Sequence, residues 1–269
     1  MSRRRFFELM GGAALTACAP APSASLAKAP DSSAQGVRAV AFDLFTLFDP
    51  RGVDRRVAEV VGENPAFAAT WKTKLFEYSW LRAASGQYRD FQGLVQDALL
   101  YATRAHGVNL VPTARARLEA AFVELAAWPE SRGVLAALRE RGLRLAPLAN
   151  FSPAMIQSLL TQAGLVQEFD DLISTDRARS YKPDPRAYAL AEASFGLSRS
   201  QIAFAAFGSW DASGGSWFGF PTFWVNRFSQ PDEVLGVSCA SGPDLEHLLR
   251  WLESLGVSPA GSGRQLSTP

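Results

Sequence analysis

The sequence predicts an α/β fold in which a doubly wound, parallel sheet carries a helical cap inserted after its first strand. Downstream of residue 130, short apolar segments alternate with segments of helical periodicity, which is the pattern of βαβ units. Between the first and second apolar segments, residues 54–126 show helical periodicity and no convincing strand. Because this block directly follows the first strand, we expect it to cover the sheet as a cap.

The bounds of each element follow from the spacing of its apolar residues and from the turn residues on either side. The segment from Val37 to Phe42 is apolar and β-rich, and it predicts a buried first strand between Gly36 and Asp43. The further predicted strands cover residues 143–148, 172–173, 202–207 and 222–225. The predicted helices after the cap cover residues 131–141, 153–164, 184–195, 211–217 and 244–254.

These elements predict how the chain is organised into domains. Residues 37–50 and 129–256 are expected to form the core domain, and residues 51–128 the helical cap domain. Residues 1–36 are expected to hold an export signal and an Ala/Pro/Ser-rich, flexible tether. Residues 257–269 are rich in Gly, Ser and Pro, and we expect them to form a frayed, disordered tail.

The amino-terminal residues resemble a twin-arginine export signal. Residues 2–7 read Ser-Arg-Arg-Arg-Phe-Phe, and a short apolar stretch follows at residues 9–17. Residues 15–18 resemble a lipoprotein cleavage box in which Cys18 carries lipid, whereas ordinary signal cleavage near Ala27 fits as well. A basic, unstructured start is the remaining alternative. We therefore expect an exported protein that is periplasmic or anchored there by lipid.

The composition excludes several classes of protein. The chain has 27 basic and 26 acidic residues, so its net charge of +1 provides no field for nucleic acid. With two His and two Cys, it is a poor candidate for a His/Cys zinc site. Cys18 lies in the predicted signal and leaves Cys239 unpaired, so no structural disulfide is expected. An enzyme or a binding protein for a small molecule remains.

Polar residues follow several of the predicted strands. Asp43 comes after the first strand, Asn150 after the second, residues 174–182 after the third and residues 208–211 after the fourth. Ligands of a doubly wound sheet bind at the carboxyl ends of its strands, so these residues should converge. The set contains carboxylates, an amine and an amide, which suits nucleophilic or acid–base chemistry by a carboxylate oriented by a lysine.

The residues at these strand ends carry a family resemblance. Over residues 37–255 the chain resembles the haloacid dehalogenase superfamily and, within it, the type II (L-2-haloacid) dehalogenases. Five segments match the family in order and spacing, so together they are more specific than any one motif. The segments are Phe42–Asp49, Leu148–Pro153, Ser180–Tyr188, Ser209–Gly214 with the residues through Arg227 behind it, and the cap segment Tyr78–Arg82.

The resemblance implies a role for each of four charged residues. Asp43 occupies the position of the aspartate that attacks the α-carbon of a 2-haloacid and forms an ester, which water then hydrolyses. Lys182 resembles the lysine that pairs with this nucleophile, and Asp211 the acid that positions Asp43, Lys182 or the water. Arg82 resembles the cap arginine that receives the leaving halide, a role suited to a weakly hydrated guanidinium.

The resemblance also implies a small substrate pocket. Asn150 is expected to hold the substrate carboxylate, while Leu44, Phe45, Tyr188 and Trp210 are expected to line the pocket. The expected ligand is a small 2-haloacid, with no metal and no cofactor. Relatives in this superfamily that are phosphatases carry a second aspartate where this chain has Phe45, so phosphoryl transfer has little support. Because dimers are common among relatives, a homodimer is expected.

Several positions depart from the family pattern. Aligned without a gap, Thr46 replaces a Gly and Leu47 replaces a Thr, although Thr46 could supply the hydroxyl one residue early. Ala149 replaces a Ser, and Ala206 and Gly208 replace a Ser and an Asn. A hydrogen bond to a charged group contributes about 1.5–3 kcal/mol, so several such losses would slow ester hydrolysis greatly. Two hypotheses follow: a hydrolytic 2-haloacid dehalogenase acting through Asp43, and a catalytically impaired relative that only binds small anions.

Overall fold

The computed structural model describes residues 36–258, and these residues form an α/β structure around a parallel sheet. Every pair of neighbouring strands is parallel, in the order β3-β2-β1-β4-β5-β6. The strands are β1 (Ala39–Phe42), β2 (Arg144–Ala149), β3 (Ile173–Ser174), β4 (Ile202–Ala206), β5 (Thr222–Val225) and β6 (Ala240–Gly242). The predicted parallel sheet is confirmed, with β1 at its centre.

Ten α-helices lie within the described range 36–258, and six of them separate β1 from β2. They are α1 (Leu44–Leu47), α2 (Arg51–Val61), α3 (Pro65–Ser85), α4 (Phe91–His106), α5 (Pro112–Ala120), α6 (Ser131–Glu140), α7 (Pro153–Gln162), α8 (Pro185–Phe195), α9 (Ser209–Phe218) and α10 (Leu245–Ser254). None of these helices is both long and apolar enough to cross a lipid bilayer.

The two faces of the sheet pack against different helices. Side chains alternate across a strand, so Val40 and Phe42 join one apolar cluster while Ala39 and Ala41 join another. The first cluster includes side chains of α6, α7 and α10, and the second includes side chains of α8 and α9. The sheet is therefore covered on both faces, as a parallel sheet with βαβ connections requires.

The cap helices, α2 to α5, share the first apolar cluster with the sheet. Phe91 of the cap stacks on Phe151 of the core with ring centroids 4.8 Å apart. Tyr88 stacks on Tyr181, and the Tyr181 hydroxyl donates a hydrogen bond to the Arg89 carbonyl. The cap is thus packed directly over the carboxyl ends of the strands.

Most predicted elements occur within a few residues of their expected bounds, and two were missed. The edge strand β6 has small, half-exposed residues, which give no apolar signal in the sequence. The short helix α1 has only four residues, fewer than a helical pattern needs in order to be recognised. The first cap helix, α2, starts at Arg51, the residue at which the cap domain was expected to begin.

Candidate active site

Asp43 lies at the junction between the central strand and the first short helix. Its backbone N–H still donates to the Ala205 carbonyl of β4, so the strand holds its position. Its side chain caps α1 by accepting a hydrogen bond from the Phe45 N–H at 2.9 Å. The side chain is 15% exposed, which leaves the carboxylate open toward the space beneath the cap.

Lys182 joins the two carboxylates of the site. Its Nζ lies 2.7 Å from Asp43 Oδ2 and 2.7 Å from Asp211 Oδ2, and its side chain is fully buried. Burial alone would lower the pKa of Lys182, but the charges of Asp211 and Asp43 outweigh burial and raise that pKa above its ordinary value. The lysine therefore stays charged and orients both acids.

Asp211 lies in the first turn of α9 and is sealed from solvent. Burial raises the pKa of its carboxyl to about 6, although Lys182 opposes this shift. Its other oxygen accepts a hydrogen bond from the Tyr188 hydroxyl at 2.7 Å. Burial and Asp211 together hold the pKa of Tyr188 well above its ordinary value, so the hydroxyl remains a donor. Asp211 is thus positioned to hold Lys182.

Asn150 follows β2 and connects it to the loop that carries the lysine. Its Oδ1 accepts hydrogen bonds from the Lys182 backbone N–H at 2.9 Å and from the Thr175 hydroxyl at 3.4 Å. Because Oδ1 is occupied in this way, the side-chain amide group is the part of Asn150 that remains to donate to a bound carboxylate.

A cavity of about 350 Å³ lies between the cap and the strand ends, and Asp43 opens into it. Leu44, Phe45, Asn150 and Trp210 line it as predicted. Its further lining residues are Pro50, Arg51, Val53, Asp54, Lys72, Leu75, Phe76, Phe91, Phe122, Ala149, Phe151, Phe207, Gly208 and Phe228. The cavity is therefore mainly apolar, with one nucleophile at its floor.

Tyr188 is not in this cavity, which corrects its predicted role as a pocket residue. It lies on α8 in the apolar cluster on the opposite face of the sheet from the cap, and it is fully buried. Its ring packs against Phe204 and Phe220, so only its hydroxyl reaches the site, through Asp211. Tyr188 therefore positions Asp211 through a hydrogen bond from the side away from the cavity.

Arg82 is also placed outside the cavity, which corrects its predicted contact with the leaving halide. Its Nη1 donates to the Gln87 carbonyl at 3.0 Å, and its Nη2 lies 3.6 Å from Asp97 Oδ2. These contacts hold it in a separate surface depression at the carboxyl end of α3. A helix rises about 1.5 Å per residue, so Arg82 lies about 15 Å along α3 beyond Lys72.

Lys72 is the cap lysine that does line the cavity, and sequence reasoning missed it. It lies on α3 between the buried residues Ala68 and Leu75, on one side of the helix. Its Nζ bonds both oxygens of Asp54 on α2, at 2.7 and 2.9 Å. A cation within an apolar stripe of a predicted cap helix is the signal that could have identified it. Arg51, which bonds Asp49, is the second cation lining the cavity.

The departures from the family pattern change the polar contacts around Asp43. The Thr46 hydroxyl donates to the Asp43 main-chain carbonyl at 2.6 Å rather than to its carboxylate. A β-carbon on Gly208 would lie 2.7 Å from Trp210 Nε1, so the indole occupies space that a larger residue would need. Within residues 36–258, no protein group accepts a hydrogen bond from this indole N–H.

Comparison with known proteins assigns this fold and site to a class. The sequence profile of the haloacid dehalogenase-like hydrolases matches residues 37–219, which is more than half of the chain. The chain therefore belongs to the haloacid dehalogenase-like hydrolase family.

Within this family, the chain is similar to enzymes that are named as dehalogenases of haloacids. The chain is 42% identical to the (S)-2-haloacid dehalogenase of Pseudomonas sp. (strain YL), over 74% of this chain and 87% of the relative. It is 39% identical to haloacetate dehalogenase H-2 of Moraxella sp. (strain B), over 74% of this chain and 90% of the relative. The resemblance to 2-haloacid dehalogenases is confirmed.

Solved structures agree with this assignment. The L-2-haloacid dehalogenase from Xanthobacter autotrophicus with chloropropionic acid covalently bound superposes with a TM-score of 0.75 at 30% identity. That alignment covers 81% of this chain and 98% of the solved chain. Another L-2-haloacid dehalogenase gives a TM-score of 0.79 at 38% identity, covering 81% of this chain and 99% of the other.

Proposed function

We propose that this protein is a hydrolytic (S)-2-haloacid dehalogenase that uses Asp43 as its nucleophile. The observation that carries this proposal is the placement of Lys182 Nζ, 2.7 Å from both Asp43 and Asp211, beneath a cavity into which Asp43 opens. The charged lysine fixes the direction of the Asp43 carboxylate through the 2.7 Å contact. The relatives named as (S)-2-haloacid dehalogenases support the same reaction.

In the first step, a carboxylate oxygen of Asp43 attacks the α-carbon of the 2-haloacid. A carbon–oxygen bond forms while the carbon–halogen bond breaks, and the halide leaves with the bonding electron pair. The configuration at the α-carbon is inverted because the oxygen enters opposite to the halide. Asp43 then carries an ester, and a free halide ion is left in the cavity.

In the second step, water attacks the carboxyl carbon of the Asp43 ester. The acyl carbon–oxygen bond breaks, so the 2-hydroxyacid leaves with an oxygen that came from Asp43. Water supplies the oxygen that regenerates the aspartate, and one proton is released. Asp211 and Tyr188 keep Lys182 beside Asp43 through both steps, since their hydrogen bonds fix the lysine from the buried side.

Lys72 takes the halide-receiving role that the sequence suggested for Arg82. It is a cation on the cap side of the cavity, whereas Arg82 is held by Gln87 and Asp97 elsewhere. A leaving halide gains stabilisation from a cation that faces the reacting carbon. The Asn150 amide and the cation Arg51 remain for the carboxylate of the substrate.

Halide release from (S)-2-bromopropionate tests the proposal, with the Asp43→Asn variant as the comparison. We expect halide and lactate in equal amounts from the native protein and none from the variant. In a single turnover in ¹⁸O-labelled water, the label should enter Asp43 and not the product. Folded protein that releases no halide and forms no Asp43 adduct would contradict the proposal.

The second candidate, a binding protein with impaired chemistry, rests on Ala149, Ala206 and Gly208, which lack side-chain donors. Mass spectrometry separates the two functions, because an Asp43 adduct that forms and persists indicates alkylation without hydrolysis. Unmodified protein with a raised Tm in the presence of 2-haloacids would indicate binding alone.

Export is a separate proposal, supported only by the sequence of residues 1–36, of which residues 1–35 lie outside the described residues. The paired arginines and the apolar stretch suit twin-arginine export, and Cys18 suits a lipid anchor. Fractionation of cells that produce the full chain would test this. An Arg3→Lys, Arg4→Lys variant should stay in the cytoplasm, and Cys18→Ala should release the protein from the membrane fraction.

A homodimer is likewise proposed, from what is common among relatives. Exposed apolar side chains on the cap, including Leu81 at 64% exposure and Tyr101 at 43%, offer surface for such an association. Analytical ultracentrifugation of residues 36–269 would give the mass in solution. A monomer at high micromolar concentration would refute a stable dimer.

A further inference from the structure

We propose that the site prefers 2-haloacids with an aromatic side chain, such as (S)-2-bromo-3-phenylpropionate, over three-carbon acids. This inference rests on the proposed function and names its substrate class. It is carried by the size of the cavity, by the aromatic residues on its walls and by the confinement of its charged groups.

The cavity is larger than a three-carbon acid requires. Its volume of about 350 Å³ lies at the lower end of the ~300–1,000 Å³ range of sites that enclose drug-sized ligands. A chloropropionate held at Asp43 would leave most of this apolar space to water. Ordered contact with the apolar wall needs a larger side chain, so the volume favours a substrate with a ring or a longer chain.

The wall is unusually aromatic, since seven phenylalanines and one tryptophan line it among the described residues. On one side, Phe45 meets Phe151 edge to face, with centroids 5.8 Å apart and planes at 83°. On the cap side, Phe76 meets Trp210 edge to face at 5.7 Å and 71°. Aromatic rings prefer such edge-to-face neighbours at 4.5–7 Å, so a ring in the cavity would meet suitable partners.

Phe207 extends the Phe45 side of this wall to Phe228. Its ring lies 5.8 Å from Phe45 and 5.9 Å from Phe228, again edge to face in both pairs. It follows β4, one residue before Gly208, so it is fixed close to the strand ends where Asp43 lies. A benzyl group attached to the reacting carbon would therefore point along aromatic surface from its first atom outward.

The charged and polar groups at the floor of the cavity suit the carboxylate end of such a substrate. Asp43 and Lys182 fix the reacting carbon at the floor, and the amide of Asn150 is adjacent in the fold. The remaining charged lining residues are paired with carboxylates: Lys72 bonds Asp54, and Arg51 bonds Asp49. A molecule with one carboxylate and one apolar ring therefore suits the site better than a molecule with a second polar group.

The aromatic acid reacts through the same two steps as a three-carbon acid. Asp43 displaces halide from the α-carbon of the phenylpropionate, and hydrolysis of the ester yields 2-hydroxy-3-phenylpropionate, a halide ion and a proton. The ring takes no part in the bonds that form and break, so its contribution is to binding and orientation.

The test compares kcat/KM for three (S)-acids: 2-bromopropionate, 2-bromo-3-phenylpropionate and 2-bromo-3-cyclohexylpropionate. We expect kcat/KM for the phenyl acid to exceed that for bromopropionate by about tenfold or more, and that for the cyclohexyl acid by about threefold. A higher value for bromopropionate, or equal values for the two ring acids, would overturn the inference while leaving dehalogenation intact. No halide from any acid and no adduct on Asp43 would overturn the proposed function together with it.

Two wall variants test the same inference on the protein side. Phe76→Ala should lower kcat/KM for the phenyl acid about tenfold and change that for bromopropionate less than twofold. If Phe76→Ala fails to fold, Phe207→Leu replaces it in the test. This variant keeps the apolar volume, and it should also lower kcat/KM for the phenyl acid more than that for bromopropionate. Tyr101→Ala removes a cap aromatic that does not line the cavity and should change neither value. An equal loss for both acids would show a structural role and count against the inference.

Discussion

Lys72 Nζ lies 2.7 Å from Asp54 Oδ1 and 2.9 Å from Asp54 Oδ2, so the cap-side cation of the cavity already has a carboxylate partner before any anion enters. Both side chains are partly exposed, which allows them to separate at little cost. If Lys72 receives the leaving halide as proposed, the halide competes with Asp54 for the lysine. We therefore expect Asp54 to weaken the binding of anions in the cavity.

We expect Lys72→Met to lower kcat about 10–100-fold, because a charged hydrogen-bond partner of the departing halide is lost. Asp54→Asn removes the carboxylate partner of Lys72, so added bromide should bind more tightly and its inhibition constant should fall several-fold. Arg82→Met is the matched control, and its kcat should stay within about twofold of the native value. Steady-state halide release measures all three. Equal losses in the Lys72 and Arg82 variants would restore the role first suggested for Arg82.

Removing the lysine between the two carboxylates should destabilise the fold as well as stop the reaction. Lys182→Met leaves Asp43 and Asp211 facing each other, one of them fully buried, and such unpaired charge costs about 3–5 kcal/mol. Urea unfolding measures this loss. The double variant with Asp211→Asn should recover part of the stability but none of the activity, and Lys74→Met on the cap surface should change neither.

The pH dependence of kcat/KM should report Asp211. Burial raises its pKa to about 6, so the carboxyl takes up a proton as the pH falls through 6 and loses the charge that holds Lys182. Activity should therefore fall toward acid below about pH 6 and be independent of pH above about pH 7, where Asp211 stays ionised. Asp211→Asn should be slower at every pH and lack this inflection. A native profile that is flat from pH 7 to pH 5 would contradict the assignment.

Gly208 and Trp210 should be coupled energetically. A β-carbon at position 208 would approach the Trp210 indole nitrogen to 2.7 Å, so Gly208→Asn should cost about 1–3 kcal/mol by displacing the ring. In a Trp210→Ala background the same substitution should cost much less, since the space is then free. A double-mutant cycle from urea unfolding gives the coupling. Additive effects would show that the ring does not resist the new side chain.

The buried strands were predictable because their signal lies in consecutive residues. Thr222–Val225 was located to the residue, and Ile202–Ala206 to within one residue, because each is an apolar run between turn residues. Ala240–Gly242 was missed because an edge strand of small residues is stabilised by its neighbour rather than by its own burial. Strand ends then placed Asp43, Asn150 and the lysine loop together.

The cap side of the site was less predictable, for a physical reason. Which residues of a helix face a cavity depends on its rotation and on its packing angle against the core, and neither is set by local sequence. Arg82 and Lys72 are both cations on the same helix, and only the packing of α3 shows that Lys72 faces inward. Tyr188 was misplaced similarly, because an apolar ring with a hydroxyl suits either side of the sheet.

The stacking of Phe91 on Phe151 joins the cap to the core beside the cavity that holds the nucleophile. A rigid swing of the cap would separate these rings and expose apolar surface that the fold otherwise keeps dry. We therefore expect substrate and product to pass at the rim of the cavity, where Phe228 is 41% exposed, through small rotations of side chains. For a bulky product, exit through this opening rather than bond breaking would then limit the rate of turnover.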